Sequence, residues 1–193
     1  MEKKISEEQG LALVKLAKKT IADHLGVLQE KQEDETENLD KEALEQKRGV
    51  FVTLHRRGQL RGCIGYLDAR EPLVDAVKHN AVNAAFHDPR FSPLGSSELS
   101  DIEIEVSVLT EPKELEYADW QDLLEKVKPG VDGVIIRYGL LSATFLPQVW
   151  EQLPEREYFL GQLCLKAGLP ADAWKKRKIE VLTYRVQYFK EGR

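Results

Sequence analysis

The sequence has little sulfur and few tryptophans: 2 cysteines, 1 methionine and 3 tryptophans in 193 residues. The two cysteines, Cys63 and Cys164, stand far apart with no CxxC or CxH spacing. That excludes a disulfide-stapled scaffold and a structural zinc site, and predicts two free thiols in a reducing compartment. No apolar run approaches the roughly 18 residues needed to span a bilayer. The segment Met1-Glu2-Lys3-Lys4-Ile5-Ser6 is charged and lacks the apolar core of a signal peptide. A cytoplasmic protein with no membrane partner is expected. Walker, GxGxxG, GxSxG and HExxH patterns are all missing, so no nucleotide, serine-hydrolase or zincin class is indicated. No cofactor and no metal ligand set is assigned.

An excess of basic charge is missing too. Lys and Arg total 28 against 33 Asp and Glu, a net charge of −5. Polyanion affinity rests on basic phosphate contacts, so the balance argues against nucleic acid. The one dense basic run, Lys175-Lys176-Arg177-Lys178 beside Trp174, is short and lacks interleaved aromatics. Residues 30–48 hold eight acids and four bases, so the segment carries −4 and the remainder only −1. With Leu39 and Leu44 as its only large apolar residues, it reads as a flexible, solvated linker or frayed helix.

At 22.0 kDa the chain suits one domain or two small lobes, and folding should bury roughly 70% of its surface. Leu11, Val14, Ala17, Ile21 and Leu25 recur at helical spacing, with Ser6 and Gln9 as a capping box. Val50–His55 and Leu60–Tyr66 read as a hairpin around Arg56-Arg57-Gly58-Gln59. Pro72 opens an Ala-rich helix reaching Phe86, broken by His87-Asp88-Pro89-Arg90. Ile102–Val108 alternates as a strand with one buried and one polar face. Asp119 caps a short helix. Val134–Tyr138 and Leu141–Leu146 form a hairpin near Gly139, and Gln148–Leu153 is a short helix. Phe159, Leu160, Leu163, Cys164 and Ala167 mark another helix, and Ile179–Phe189 is a last β-rich element. The fold class is α+β with a mainly antiparallel sheet and flanking helices.

Chemistry concentrates in Leu60-Arg61-Gly62-Cys63-Ile64-Gly65. Strand alternation puts Arg61 and Cys63 on one face and Leu60 and Ile64 on the other, and two glycines mark a bulge or a close approach. A guanidinium beside a thiol favours the reactive thiolate. The alternative is a small buried Cys63 in a tight sheet. His87, at a helix C-terminus, is a candidate proton carrier or base, and Arg90 a carboxylate or phosphate clamp. The alternative there is structural: Asp88 caps the loop, Arg90 pairs with an acid and Phe91 plugs the core. Glu103 and Glu105 share a strand face, as an acid–base pair, as cation ligands with His87, or as the solvent face of an antiparallel sheet.

These motifs resemble the AMMECR domain family. The resemblance rests on Phe51-Val52-Thr53-Leu54, Leu60–Gly65, Asp88-Pro89-Arg90-Phe91 and Glu105–Leu109. It extends through Gly130-Val131-Asp132-Gly133-Val134, Ala143–Trp150, Phe159-Leu160, Leu163-Cys164 and Lys166-Ala167-Gly168. It covers about residues 7 to 189 and leaves the acidic segment unmatched. It implies a single domain of two lobes, the larger holding both termini and the smaller formed mid-chain. Leu60–Gly65 would lie beside an inter-lobe cleft. The expected site is Cys63 and His87 for chemistry, with Leu60, Arg61, Gly62, Ile64, Gly65, Asp88 and Arg90 for binding. The family's activity is not established. The resemblance implies a link to a Memo-like and a radical-SAM protein, hence a protein or RNA modification system. A non-enzymatic adaptor that binds a peptide or protein partner is the rival reading.

Overall fold

A computed structural model describes residues 4–27 and 41–191. The chain forms two compact units, one of residues 1–109 with 187–193 and one of residues 110–186.

The first unit opens with α1 (Glu7–His24). The Ser6 hydroxyl accepts from the Gln9 amide at 3.2 Å and the Gln9 side chain accepts from the Ser6 amide at 2.8 Å, closing the expected capping box. The buried stripe is wider than the spacing suggested, adding Ala12, Leu13, Leu16 and Ala22. Of the acidic segment 30–48, residues 30–40 lie outside the described residues. The rest holds a short helix α2 (Lys41–Glu45), whose Leu44 is buried, and a buried Arg48 that donates to Gln46 at 3.0 Å.

Next come β1 (Val50–Arg56), β2 (Gln59–Tyr66), α3 (Leu73–Phe86) and β3 (Ile102–Leu109). β1 and β2 are joined by Arg57 and Gly58, both at positive φ (53° and 75°), the twist-matched two-residue turn. β1 pairs antiparallel with both β2 and β3. Val50, Val52, Leu54, Ile104, Val106 and Val108 are buried in one core with residues of α1 and α3. Phe51, Thr53 and His55 alternate to the opposite, outer face, matched across β3 by Ser107, Glu105 and Glu103.

The second unit contains β4 (Lys113–Glu114), α4 (Trp120–Lys126), β5 (Gly133–Tyr138), β6 (Leu141–Phe145), α5 (Arg156–Lys166), α6 (Ala173–Lys176) and β7 (Glu180–Tyr184). Asp119 caps α4 by accepting from the amides of Gln121 and Asp122, both at 3.0 Å. The sheet order is β4-β7-β5-β6. Its core stacks Trp150 on Phe159, and the Trp150 indole donates to the Asp132 carbonyl at 2.8 Å.

Ile179–Phe189 is not one strand. It breaks at Arg185 into β7 and β8 (Val186–Lys190), which sit in different sheets. β8 completes the first sheet in the order β2-β1-β3-β8. Gly10 of α1 explains the fit of β8: a Cβ there would lie 1.9 Å from the Phe189 ring. The Gln187 amide also pairs with both backbone groups of Ile5, at 2.9 and 3.1 Å. Among the described residues no helix is long and apolar enough to cross a membrane.

Candidate functional site

β2 is an edge strand, and its register is irregular. Leu54 pairs with Gly62 and His55 with Leu60, so Arg61 has no partner across the ladder. This is a β-bulge, as the paired glycines hinted. The bulge corrects the alternation expected from sequence. Cys63 faces outward opposite Thr53, and Ile64 faces the core opposite Val52. Leu60, moved one position by the bulge, shares the outer face with Cys63 and is exposed.

Arg61 is committed to an acid far away in sequence. Its Nε and Nη2 each donate to Glu98 at 3.0 Å, and Nη1 donates to the Ser92 carbonyl at 3.0 Å. Arg56 joins the same carboxylate at 2.9 Å, and the Gly95 amide donates to it at 3.0 Å. These contacts, led by Arg61, lower the Glu98 carboxyl to about 2.

The guanidinium that accompanies Cys63 is Arg90. Asp88, with a side chain only 1% exposed, accepts from the Cys63 amide at 2.9 Å. Arg90 donates to Asp88 from its backbone amide (3.1 Å), Nε (2.9 Å) and Nη2 (2.7 Å). Its Nη2 also donates to the Cys63 carbonyl at 3.1 Å. The Asp–Arg pair therefore occupies both outward backbone groups of Cys63, as a neighbouring strand would. Asp88 is held well below the usual carboxylate range, by Arg90 first and then by the backbone amides. Arg90 is raised by Asp88 first and, to a lesser degree, by the nearby Cys63 side chain. Phe91 lies under both arginines, 5.9 Å from Arg61 and 5.5 Å from Arg90.

The Cys63 thiol is half-buried, and the Thr53 hydroxyl donates to its sulfur at 3.3 Å. Thr53 stands opposite Glu105 on its other side, so Cys63, Thr53 and Glu105 form one row across three strands. Cys164 is buried, and burial pushes its thiol up. His87 ends α3 with its backbone amide on Asn83, but its side chain is exposed. Among the described residues it makes no hydrogen bond to Cys63, Asp88 or Arg90. No group of three or more metal-ligating side chains occurs among the described residues.

The glycines are filled by the protein itself. A Cβ at Gly62 would meet the Ala84 carbonyl of α3 at 2.2 Å. One at Gly65 would meet the Val50 carbonyl at 2.3 Å and the Phe51 ring at 2.4 Å. They let a helix and a cross-strand aromatic close onto β2.

Sequence reasoning missed Thr53 and Glu98. Thr53 was findable from hairpin register. Glu98, 37 residues from Arg61, left no spacing signal. It also missed a cluster in which the Tyr66 hydroxyl donates to Glu71, whose other oxygen meets His79 Nδ1 at 2.8 Å. A cavity of about 590 Å³ lies in the second unit, lined by Glu114, Glu116, Tyr117, Lys126, Lys178 and Ile179 among others. None of the residues expected from sequence lines it.

The site is thus a bulged, edge-capped strand carrying an outward thiol in an α+β protein. The AMMECR1 family model matches residues 14–189, and the chain belongs to that family. A protein of Methanothermobacter thermautotrophicus is 41% identical over 189 residues, covering 97% of this chain and 96% of its own length. One from Methanopyrus kandleri is 41% identical, covering 99% and 92%. The crystal structure of an uncharacterized protein from Pyrococcus horikoshii matches with a TM-score of 0.82 at 37% identity, covering 97% of this chain and 93% of that one. The names of these relatives carry no function.

Proposed function

We propose that the protein is a cytoplasmic component of a protein or RNA modification system in which Cys63 is the nucleophile or acceptor. One observation carries this reading. A half-buried thiol takes a hydroxyl donor at 3.3 Å, beside a guanidinium whose position is fixed by a buried carboxylate. Arg90, with a side chain 53% exposed, takes the electrostatic role first given to Arg61 and keeps room for an anionic group on the substrate. Arg61 frames the strand through Glu98. In the reaction the Cys63 sulfur bonds to an electrophilic atom of the substrate, and the leaving group departs with its electron pair. His87, exposed and next to Asp88, is the remaining candidate for exchanging protons with solvent.

Alkylation by iodoacetamide between about pH 6 and 9 tests this. Cys63 should react about tenfold faster than a model cysteine peptide near neutrality, and Arg90→Ala should remove most of that advantage. Cys63→Ser leaves only the buried Cys164 as an internal control. A Cys63 that reacts no faster than the peptide at any pH overturns the nucleophile.

A second reading, an adaptor, is favoured by the absence of any described hydrogen bond from His87 to Cys63, Asp88 or Arg90. Its partner would dock on the outer face around Leu60, Cys63 and Arg90. The candidates are a Memo-like or radical-SAM protein, the partners that the resemblance suggests. Binding of either in a titration that survives Cys63→Ser but fails on Arg90→Glu supports the adaptor. No binding of either removes it.

A further inference from the structure

The tip of the β5–β6 hairpin is apolar and projects from the second unit. Gly139 takes a φ of 60°, which the two-residue turn requires, whereas Leu140 has no such constraint. A polar residue would serve the turn equally well, yet position 140 holds a leucine that is fully exposed. Tyr138 and Leu141, the pair that closes the turn, are 39% and 41% exposed. Single exposed leucines are ordinary; three adjacent apolar side chains on a protruding turn are not.

The basic run sits at the same end of the sheet. Arg137 pairs with Glu180 across β5 and β7, so the residues just before β7 lie alongside the hairpin tip. The Arg177 guanidinium lies over the Tyr138 ring at 5.2 Å. Lys175 is held by Glu157 at 2.7 Å and by the rings of Trp120 and Trp174, and Lys176 pairs with Asp172. Arg177 and Lys178 are exposed and have no ion pair among the described residues. Glu114 and Glu116 lie across β7 from the hairpin and line a cavity that Lys178 also lines, whereas Arg177 stands against the hairpin itself.

We propose that this tip docks the protein onto an anionic lipid surface. Leu140 and Leu141 enter the acyl boundary, Tyr138 sits at headgroup level, and Arg177 and Lys178 meet lipid phosphates. Size decides against a second copy or another folded protein. A stable interface needs about 800 Å² from each partner, and one aromatic with two leucines on a narrow turn falls short of that. A fluid surface accepts a small convex tip. The expectation of no membrane partner rested on the lack of an apolar span and of a signal peptide, and neither is needed by a tip that docks at the surface.

Cosedimentation of the full chain with two vesicle types tests this: pure phosphatidylcholine, and an equal mixture of phosphatidylcholine and phosphatidylglycerol. Binding is expected to the mixed vesicles only, and to fall when NaCl is raised to about 0.5 M. Leu140→Ser should weaken partitioning about tenfold, and Lys178→Ser about fivefold. Both positions are exposed, and an unchanged circular dichroism melt verifies the fold. Three results overturn the proposal. One is equal or absent binding to both vesicle types. Another is mixed-vesicle binding that both variants retain. The third is a dimer in sedimentation velocity that Leu140→Ser abolishes, which makes the tip a contact between copies.

Discussion

At Asp88 a single carboxylate accepts the amide of an edge strand, the amide of its own loop and a guanidinium. Removing its charge leaves three donors competing for a weaker acceptor in a buried place. Hydrogen bonds to charged groups contribute about 1.5–3 kcal/mol each, but Arg90 is half in water and loses less than a buried partner would. Asp88→Asn should therefore cost about 2–4 kcal/mol in urea unfolding and speed hydrogen exchange at the Cys63 amide. An unchanged urea midpoint would show that the cap contributes nothing. Arg61 makes the complementary point. Its fork is closed on Glu98, so Arg61→Lys loses the two-point grip and should lower stability without changing Cys63 alkylation. A change in alkylation rate would return Arg61 to the thiol.

At the scale of elements, the joint between β2 and α3 rests on a missing side chain. The Cβ that Gly62→Ala adds would lie 2.2 Å from the Ala84 carbonyl, backbone against backbone, with no flexible end to yield. The helix must lift from the strand, at a cost of about 2–3 kcal/mol. Gly95→Ala is the control: its nearest neighbour is the end of Glu98 at 3.8 Å, and the change should be near neutral. Equal melting shifts for the two variants would dismiss the packing account. These elements also show what was legible in the sequence. α1, the β1–β2 hairpin, α3 and the β5–β6 hairpin all follow from local signals: Ser6 with Gln9, Arg57-Gly58, Pro72, and Gly139. The break at Arg185 was not legible, because β7 and β8 share one β-rich composition and differ only in which sheet they join. The bulge was foreshadowed by two glycines, but its effect on Leu60 depends on pairing with His55, which no periodicity reveals. Cys63, Asp88 and Arg90 were each singled out within their own segments, and the structure brings the three into contact. The assignment of Arg90 rather than Arg61 to the thiol rests on a contact across 27 residues.

On the scale of the whole molecule, the two units hold separate cores and different charge chemistry. The carboxylates held furthest below their ordinary values, Asp88 and Glu98, are both in the first unit, as is the more modestly lowered Glu71. The lowered carboxylates of the second, Asp122 and Asp172, are in helical ion pairs near the surface, which contribute little. All three tryptophans, Trp120, Trp150 and Trp174, are in the second unit, so their emission reports that unit alone. A carboxyl lowered on folding stabilises the native state fully above its unfolded value and loses that stability as pH falls through its folded value. For Glu98 the window runs from about 4.5 down to about 2, and the shift corresponds to about 3 kcal/mol. Asp88 surrenders its share lower still. Acid should thus loosen the first unit before the second. On titration from about pH 6 downward, methyl resonances of Val52 and Ile104 should lose dispersion while tryptophan emission is still native. Glu98→Gln should remove much of the acid dependence of those methyl signals, starting from a lower stability at neutral pH. If tryptophan emission shifts first, or Glu98→Gln keeps the wild-type acid profile, the carboxylate–arginine contacts around β2 do not govern acid stability.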